Sequence, residues 1–404
     1  MNWTEVATLD ELFDGASIAV RAGTLELALH TVGGVPYATD NRCSHAEARL
    51  CEGFLEGHEI ECPLHQGRFD VRTGEATCAP ATEKIGAYPA RIEAGKVFVL
   101  LPLPSGEGAG RPAPQPAHPT ADGELEHRSL DTGSGSTHYV VAGSGEPLVL
   151  LHGWPHTWFA WRHVIPLLAD RFRVVAPDLR GLGDSQYAGD DFRKTALASD
   201  VARVLEAEFG AAAVNVVGHD WGGPVAMALA LSHRARAKRL VIVDVVIPGD
   251  GRAAGMAQGG QRWHHAFHRT RDLPEALTAG RERAYLHWFF GEYSQSGVAR
   301  TDEALDAYAR AYAKPGAMKN GFELYRAIPR DAEEFARALA EGGTLRIPVH
   351  CVSGACGRGR GAETLESVAR FAPHATAHVI DDCGHCVPEE KPAELAAQLR
   401  AFLA

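Results

Sequence analysis

The sequence predicts a chain of at least two domains, the second of which is an α/β domain with a mostly parallel sheet. The first observation is length, because 404 residues exceed the usual size of one domain. The second is a stretch rich in Pro, Gly and Ala at residues 104–122, which lacks apolar periodicity and is therefore predicted to be a linker. The third is a regular alternation of β-rich runs and amphipathic helical patterns after that linker.

Six short β-rich runs follow the linker, and helical patterns such as KTALASDVARVLEAEF and KPAELAAQLRAFLA lie between or after them. This order predicts a doubly wound, mostly parallel sheet with helices on both faces. The alternation breaks at about 247–343, which predicts a helical cap over the C-terminal edge of the sheet, where ligands bind in such folds. The six runs are PLVLLHG (147–153), RVVAPD (173–178), VNVVGHD (214–220), RLVIVDVV (239–246), IPVHCVSG (347–354) and ATAHVIDD (375–382).

Four side chains in the first seventy residues form a candidate metal-binding set. Cys43 and His45 stand in C-S-H, and after sixteen residues Cys62 and His65 stand in C-P-L-H. Two thiolates and two imidazoles suit a Rieske [2Fe-2S] cluster, in which two Cys hold one iron and two His hold the other. Zinc also takes two Cys and two His, but its usual spacing pairs Cys with Cys and His with His. Each arm here holds one of each, so the spacing favours the iron–sulfur cluster.

The similarity extends beyond these four ligands. Residues 2–103, including CSHAEARLCEGFLEGHEIECPLHQGRFDVRTGEATC, resemble the ferredoxin components of bacterial aromatic-ring dioxygenase systems. The resemblance implies a small all-β Rieske domain at 1–103, in which the four side chains hold the cluster. Respiratory-type Rieske proteins carry a disulfide at positions that correspond here to Ala48 and Leu64. The cluster is therefore expected to belong to the low-potential, ferredoxin-like group.

Composition and charge restrict the partners. The formal charge of −11 argues against nucleic acid. Neither a secretory signal nor an apolar run long enough for a membrane span is present, which predicts a cytoplasmic protein. Residues 1–104 hold 8 basic and 15 acidic side chains, a net charge of −7 that could steer docking to a basic redox partner. Because the chain has no flavin or nicotinamide fingerprint, that partner is expected to be a separate reductase or oxygenase.

The second chemical signal is V-V-G-H-D-W-G-G, with Asp220 at its centre. A strand ends at a sharp turn, and Gly218, Gly222 and Gly223 allow a helix to begin close to it. This is the pattern of a nucleophile elbow, usually G-x-S-x-G, with Asp220 in the place of Ser. A carboxylate needs no base to attack, but its ester must later be hydrolysed. The elbow therefore suits displacement at carbon, whereas an Asp that only caps the helix is the alternative.

Two further motifs follow strands in the expected order. H-G-W-P at 152–155 occupies the place of the second oxyanion donor in this kind of fold. The backbone N–H groups of Trp154 and Trp221 are therefore the candidate oxyanion hole. D-D-C-G-H at 381–385 follows the last strand and supplies His385 as the candidate general base.

Together these motifs make residues 126–404 resemble α/β-hydrolases of the epoxide hydrolase and dehalogenase group, so the second domain is placed at 123–404. Most epoxide hydrolases carry the triad acid after the penultimate strand, where this chain reads S-G-A-C-G-R-G-R without a carboxylate. Haloalkane and fluoroacetate dehalogenases can instead place it after the strand that follows the nucleophile helix. That strand contains Asp244, 24 residues after Asp220, and the resemblance implies that Asp244 orients His385.

The cap is expected to hold the residues that receive the leaving group. Fluoroacetate-type dehalogenases use a His-Trp pair and a Tyr for the halide, and the resemblance implies His287, Trp288 and Tyr325. Epoxide hydrolases use two cap tyrosines, of which Tyr325 matches one. Fluoroacetate dehalogenases also grip the substrate carboxylate with two arginines, whose positions here hold Trp221 and Pro224. The sequence therefore predicts a substrate less polar than a haloacetate.

The resulting hypothesis joins two activities in one chain. The hydrolase half is predicted to cleave a carbon–halogen bond through an ester on Asp220, and the Rieske half to transfer single electrons. Epoxide hydrolysis with the same nucleophile is one alternative, and the substrate is then an epoxide in place of a halogenated compound. The other alternative is an electron carrier for a ring-hydroxylating oxygenase, with an accessory hydrolase.

Overall fold

The computed structural model describes residues 2–8, 12, 14–22, 25–45, 48–63, 67–101, 125–133, 135–252, 262–296 and 301–403. The chain divides into two compact units, Met1–Pro116 and Ala117–Ala404. The predicted linker at 104–122 lies outside the described residues, so the domain boundaries at 103 and 123 stay a prediction. Within the described ranges, the helices are all too short or too polar to cross a lipid bilayer.

The first unit consists of short antiparallel strands in three small sheets. The last strand of this unit shows how these sheets pack together. Its alternate residues Val97, Val99 and Leu101 are buried, and they pack with Leu27 and Leu29 of a neighbouring sheet. The strands are β1 (Asn2–Thr8), β2 (Ser17–Ala22), β3 (Leu25–Val32), β4 (Val35–Asp40), β5 (Phe54–Glu56), β6 (Glu59–Glu61), β7 (Arg68–Asp70), β8 (Ala76–Cys78), β9 (Ala87–Tyr88), β10 (Ala90–Glu93) and β11 (Lys96–Leu101). The sheet orders are β1-β11-β10, β2-β3-β4-β9 and β5-β6-β7-β8.

The second unit is built on one mixed sheet. Its strands are β12 (Glu126–Asp131), β13 (Gly135–Ala142), β14 (Glu146–Leu151), β15 (Phe172–Pro177), β16 (Gln186–Tyr187), β17 (Val214–His219), β18 (Ala237–Val243), β19 (Val349–Gly354) and β20 (Thr376–Ile380). They are ordered β12-β13-β15-β14-β17-β18-β19-β20, with β16 beside β13. From β15 onwards along this order the neighbours run parallel, whereas β12 and β13 are antiparallel.

Both faces of this sheet are covered, as expected of a doubly wound fold. Val149 and Leu151 of β14 belong to one hydrophobic core, and Leu148 and Leu150 belong to a second core on the opposite face. The helices outside the cap are α1 (Lys194–Phe209), α2 (Gly222–Ser232), α9 (Glu363–Val368), α10 (Val387–Glu390) and α11 (Pro392–Leu403). The predicted architecture, an all-β unit followed by a doubly wound unit with a mostly parallel sheet, is confirmed.

Six helices lie between β18 and β19, where the sequence predicts the cap. Residues 253–261 and 297–300 of this stretch lie outside the described ranges. The cap helices are α3 (His264–Arg269), α4 (Leu273–Thr278), α5 (Glu282–Tyr293), α6 (Asp302–Tyr312), α7 (Ala317–Arg326) and α8 (Ile328–Gly342). Helices α3, α5 and α7 each bring side chains to a cavity at the C-terminal ends of β14, β17 and β18.

Candidate active site and metal-binding site

Asp220 lies in the tight turn between β17 and α2, and its backbone has a φ of 46°. Positive φ is strained for most side chains, but Asp tolerates it better than others. The turn is possible because Gly218 and Gly222 lack a Cβ atom. A Cβ on Gly218 would meet the carbonyl of Gly222, and one on Gly222 would meet the carbonyl of Leu151. The backbone therefore fixes Asp220 at the end of its strand, as an elbow requires.

Asp220, His385 and Asp244 come together although they lie far apart in the sequence. The Nε2 atom of His385 is 3.3 Å from Oδ2 of Asp220. The Nδ1 atom of His385 is 2.7 Å from Oδ2 of Asp244. His385 thus lies between two carboxylates, with one ring nitrogen facing each of them. This is the arrangement of a nucleophile, a base and an orienting acid.

The Asp244 carboxylate is held by backbone groups rather than by side chains. The residue follows β18 with a φ of 50° and is fully buried. Its Oδ1 atom accepts hydrogen bonds from the backbone N–H groups of Gly354 and Arg360, at 3.0 and 2.8 Å. Its other oxygen remains for His385. Because both oxygens have defined partners, the acid and the tautomer of His385 are fixed together.

The charges of this triad depend on one another. Burial opposes ionisation of Asp220, but the hydrogen bond and charge of His385 outweigh it and lower the Asp220 pKa. Burial likewise lowers the pKa of His385, but its hydrogen bonds to Asp220 and Asp244 raise it above the ordinary value. A neutral group in place of the Asp220 carboxylate would remove one of these two anionic partners from His385. The pKa of His385 would then fall, and its imidazole would be available as a base.

Two backbone N–H groups meet at the Asp220 carboxylate. The N–H of Trp154 donates to Oδ1 of Asp220 at 2.9 Å, and the N–H of Trp221 donates to the same carboxylate. The geometry therefore brings together the predicted oxyanion-hole donors. An ester carbonyl on Asp220 would keep its oxygen against these donors when water attacks it.

The cap contributes Tyr325 and two residues that the sequence analysis did not select, His264 and Tyr293. All three line the same cavity as Asp220. The Tyr325 ring is buried against Trp221, with ring centroids 4.8 Å apart, and burial raises its pKa well above the usual value. The Tyr293 hydroxyl is 2.8 Å from Nδ1 of His264, and burial lowers the pKa of that imidazole. The Tyr325 hydroxyl and the His264 imidazole are therefore neutral hydrogen-bond donors around pH 7.

The structure does not bring the expected His287 and Trp288 to the cavity. Neither residue lines the cavity; Trp288 is 39% exposed and its ring packs on Trp263, 5.4 Å away. The reason is the phase of helix α5, whose buried face is formed by Leu286, Phe289, Phe290 and Tyr293. Positions between these inward residues point elsewhere on a helix of 3.6 residues per turn. The His287-Trp288 pair matches the motif in sequence, but it lies on a side of helix α5 that does not line the cavity.

Part of the cavity wall comes instead from the stretch R-W-H-H-A-F-H at 262–268, through Arg262, His264 and His265. His264 and His265 line the cavity, and their rings are 5.6 and 5.2 Å from the Tyr325 ring. Burial, followed by repulsion from Arg360 and Arg262, lowers the pKa of His265 to about 3. The sequence signal that could have identified these residues is the His-rich segment H-H-A-F-H at the start of the cap.

The first unit brings two of the four predicted cluster ligands into one hydrophobic core. Cys43 and Cys62 are 4% and 1% exposed, belong to the same buried cluster as Leu50 and Ile60, and form no disulfide. Each begins a short loop closed by a backbone hydrogen bond, from Cys43 N–H to Ala48 at 2.9 Å and from Cys62 N–H to Gly67 at 2.7 Å. Both cysteines thus stand at the start of a short loop that a backbone hydrogen bond closes.

The two imidazoles are placed differently. His45 is exposed, whereas His65 lies outside the described residues. Two buried thiols and an exposed imidazole suit the donor set of a [2Fe-2S] cluster, in which two Cys hold one iron and two His the other. Cys43, His45, Cys62 and His65 would hold the group, which would supply single-electron transfer when bound.

Comparison with known protein families agrees with both halves. Residues 146–392 match the alpha/beta hydrolase fold family, and residues 2–89 match the Rieske [2Fe-2S] domain. Over 282 residues the chain is 36% identical to the soluble epoxide hydrolase of Corynebacterium sp. (strain C12), which covers 67% of this chain and 94% of that protein. The first unit is 52% identical over 100 residues to the ferredoxin component of the naphthalene 1,2-dioxygenase/salicylate 5-hydroxylase systems of Ralstonia sp, covering 25% of this chain and 96% of the relative.

The solved structures give the same result for the second unit. The structure of the epoxide hydrolase CorEH without ligand superimposes with a TM-score of 0.64 at 35% identity, covering 69% of this chain and 99% of that one. The Cif epoxide hydrolase from Acinetobacter nosocomialis superimposes with the same TM-score at 25% identity, covering 70% of this chain and 90% of that one. The chain belongs to the α/β-hydrolase fold family and carries a Rieske [2Fe-2S] domain at its N-terminus.

Proposed function

We propose that the second unit hydrolyses an epoxide to a diol through an ester on Asp220. The observation that carries this proposal is the cavity itself, in which Asp220 faces Tyr325 and His264. Both cap groups are neutral donors, as opening of an epoxide requires, because its oxygen leaves as an alkoxide that must be protonated. The similarity to epoxide hydrolases supports the same substrate class.

In the first step, Oδ2 of Asp220 attacks one carbon of the epoxide ring. The carbon–oxygen bond breaks, and its electron pair moves to the oxygen, which takes a proton from Tyr325 or from Nε2 of His264. A hydroxyl that donates to Nδ1 of His264, as Tyr293 can, keeps the imidazole proton on Nε2. The products of this step are a neutral ester and a hydroxyl group.

In the second step, water attacks the ester carbonyl of Asp220. His385 accepts the proton of that water, and Asp244 stabilises the imidazolium that forms. The backbone N–H groups of Trp154 and Trp221 stabilise the oxyanion. Collapse of the intermediate releases the diol and restores the Asp220 carboxylate, and the proton on His385 returns to the cap donor through solvent.

Dehalogenation with the same nucleophile is the second candidate, and Trp221 is the observation in its favour. Its indole ring lines the cavity directly beside Asp220. An indole N–H can hold a departing halide, which needs a hydrogen-bond donor but no proton transfer. Because His287 and Trp288 are not among the described residues that line the cavity, we rank epoxide hydrolysis ahead of this candidate.

For the first unit we propose single-electron transfer between a separate reductase and an oxygenase. Its relatives are ferredoxin components of dioxygenase systems. Hydrolysis consumes no electrons, so the fusion would bring together two steps of one catabolic pathway. Such a carrier would keep its redox activity when the hydrolase is inactive.

One experiment separates the hydrolytic candidates. Purified enzyme is mixed with excess active site over substrate in ¹⁸O-labelled water, and diol and halide are measured for an epoxide and for the matching haloalkane. Epoxide hydrolysis through the ester predicts diol formation and one ¹⁸O atom in the peptide that contains Asp220. Diol without label in Asp220 would contradict the covalent route, and halide release without diol would transfer the assignment to dehalogenation.

A further inference from the structure

We propose that the substrate of this hydrolase carries an anionic group, such as a carboxylate, that binds between Arg262 and Arg360. The proposal rests on the proposed epoxide hydrolysis and names the class of epoxide that the site takes. It also differs from the expectation drawn from the sequence, where Trp221 and Pro224 replace the arginines of a haloacetate site and indicate a less polar substrate.

Both arginines line the cavity. Arg262 precedes α3 at the start of the cap, and Arg360 lies in the loop between β19 and α9, after the cap has ended. They are only 3% and 5% exposed. Among the described residues of the cavity wall, Asp220 is the one carboxylate. The wall therefore carries two cations and one anion, and that anion is the nucleophile.

The contacts of the two arginines hold them in place while keeping them at the cavity. Arg262 donates to the carbonyl of Arg358, and its guanidinium carbon is 5.3 Å from the centre of the Tyr293 ring. Arg360 donates through Nη1 to Glu363 at 3.1 Å. Glu363 does not line the cavity. Each arginine side chain is thus held by a hydrogen bond to a residue outside the lining of the cavity, while the arginine itself lines the cavity.

The two charges also repel each other. Burial, followed by the charge of Arg262, lowers the pKa of Arg360 to about 10. Burial, followed by the charges of the same two arginines, also lowers the pKa of His265, another residue of the cavity wall. An anion placed between two guanidinium groups relieves this repulsion and forms charge-assisted hydrogen bonds in a site that excludes water.

The charge balance of the reaction strengthens this argument. In the ester intermediate Asp220 has lost its negative charge, and the epoxide oxygen has been neutralised by a proton. Among the described lining residues, the wall then keeps its two arginines and loses its one carboxylate. A substituent that stays anionic in both steps keeps the cavity compensated throughout, and it also fixes the epoxide relative to Asp220.

The alternative is that the arginines act only on the oxygen that develops charge during reaction. In that case they would accelerate neutral and anionic epoxides equally. A matched pair of substrates distinguishes these roles: 3-phenylglycidate, which carries a carboxylate beside the epoxide, and 3-phenylglycidamide, which is neutral and nearly the same shape. Diol formation gives kcat/KM for each, and competitive inhibition by benzoate and benzamide gives binding without chemistry.

Wild-type enzyme is expected to prefer the carboxylate, and benzoate is expected to bind more tightly than benzamide. In Arg262→Gln and in Arg360→Gln the ratio of kcat/KM for carboxylate over amide should fall about 10- to 100-fold, the range for one charge-assisted hydrogen bond. Arg358→Gln is the matched control, because its side chain pairs with Glu292 outside the cavity wall. That variant should keep the wild-type ratio.

Equal losses for both substrates in the arginine variants would overturn the proposal, as would a wild-type preference for the amide. Arg262→Lys and Arg360→Lys keep the charge if the Gln variants fail to fold, and they should retain a preference for carboxylate. If wild type forms no diol from either epoxide, the proposed function fails. Benzoate binding, followed by tryptophan fluorescence, still decides separately whether an anion site exists.

Discussion

The two units collect their reactive groups over very different lengths of chain. In the first unit, Cys43 and Cys62 each stand at the start of a loop closed five residues later by a backbone hydrogen bond. In the second unit, Asp244 and His385 are 141 positions apart and meet only because β18 and the segment after β20 belong to one parallel sheet. One site depends on local loops and the other on the completed fold.

This difference predicts which substitutions each site can tolerate. A cluster held by two short loops should be lost by changing one ligand, while the rest of the chain is unaffected. A site held by strand ends should survive surface changes but respond to every group that fixes the strands, the cap or the carboxylates. Substitutions in one unit that leave the other unit active would support this separation.

The largest expected effect is complete loss of the cluster in Cys43→Ser. The substitution removes a thiolate ligand from a buried position that a hydroxyl cannot fill equivalently. Iron analysis and electron paramagnetic resonance of the reduced protein should show no [2Fe-2S] signal, and diol formation should be unchanged. Cys78→Ser, at an exposed free cysteine, is the control. Loss of diol formation in Cys43→Ser would show that the two sites are coupled.

Asp220→Asn is expected to reduce diol formation about 10⁴-fold or more, because an amide is a far poorer nucleophile than a carboxylate. The reduced cluster signal should be unchanged. Asp381→Asn changes an exposed carboxylate just beyond β20 and serves as the matched control. Residual activity in Asp220→Asn close to that of the control would rule out Asp220 as the nucleophile.

Asp244→Asn should reduce kcat about 10³-fold, because it removes the charge that stabilises protonated His385. It should also change the pH profile in a defined direction. Asp244 raises the pKa of His385, so its neutralisation lowers that pKa. The ester is hydrolysed by neutral His385, and the acidic limb of kcat therefore moves to lower pH. A limb that moves to higher pH would contradict the assigned roles.

Tyr325→Phe is expected to reduce diol formation about 10²-fold, the usual contribution of a general acid. The ring packing against Trp221 is preserved, so the loss reports on the hydroxyl alone. Trp288→Phe is the comparison within the cap and should leave kcat unchanged, since Trp288 lies outside the cavity wall. The reverse ranking of these two variants would restore the sequence-based choice of His287 and Trp288.

Lys194→Met should have the smallest effect on the rate and a clear effect on stability. Its buried ammonium lies 2.9 Å from Asp331, donates to the carbonyl of Leu324 at 2.6 Å, and stacks 4.3 Å from the centre of the Trp221 ring. Loss of one partner from a buried ion pair costs about 3–5 kcal/mol of unfolding free energy. Lys238→Met, at a half-exposed pair, should cost about 0–1 kcal/mol in the same urea titration. Equal losses would show that the contacts of Lys194 with Leu324 and Asp331 of the cap stabilise the fold no more than an exposed ion pair does.

Sequence information was sufficient where a motif carries its own geometry. The elbow around Asp220 needs small residues within four positions, and the cluster arms place Cys43 beside His45, so both can be read from neighbouring letters. Asp244 could be located by its distance from Asp220 along the chain. The cap residues that line the cavity could not be located from the sequence, because the direction of a side chain depends on the phase of its helix. Only the packing of α5 shows that Tyr293 faces the cavity and Trp288 does not.

The two arginines of the cavity wall show the same limit. Arg262 and Arg360 are almost one hundred positions apart, and no local pattern connects them. They converge because β18 and β19 are neighbouring parallel strands whose C-terminal ends lie at the same edge of the sheet: Arg262 belongs to the cap that follows β18, and Arg360 to the loop that follows β19. Charge clusters of this kind can be found only after the topology is known.

The way in which Asp244 is held has a consequence for how this enzyme can change. Its carboxylate accepts hydrogen bonds from the backbone N–H groups of Gly354 and Arg360, while Arg360 also lines the cavity beside Asp220. A substitution at position 360 can therefore alter which substrates are accepted without displacing the acid that serves catalysis. Randomising this one position is an economical route to new specificities, because the peptide group that supports the reaction is present in almost every amino acid.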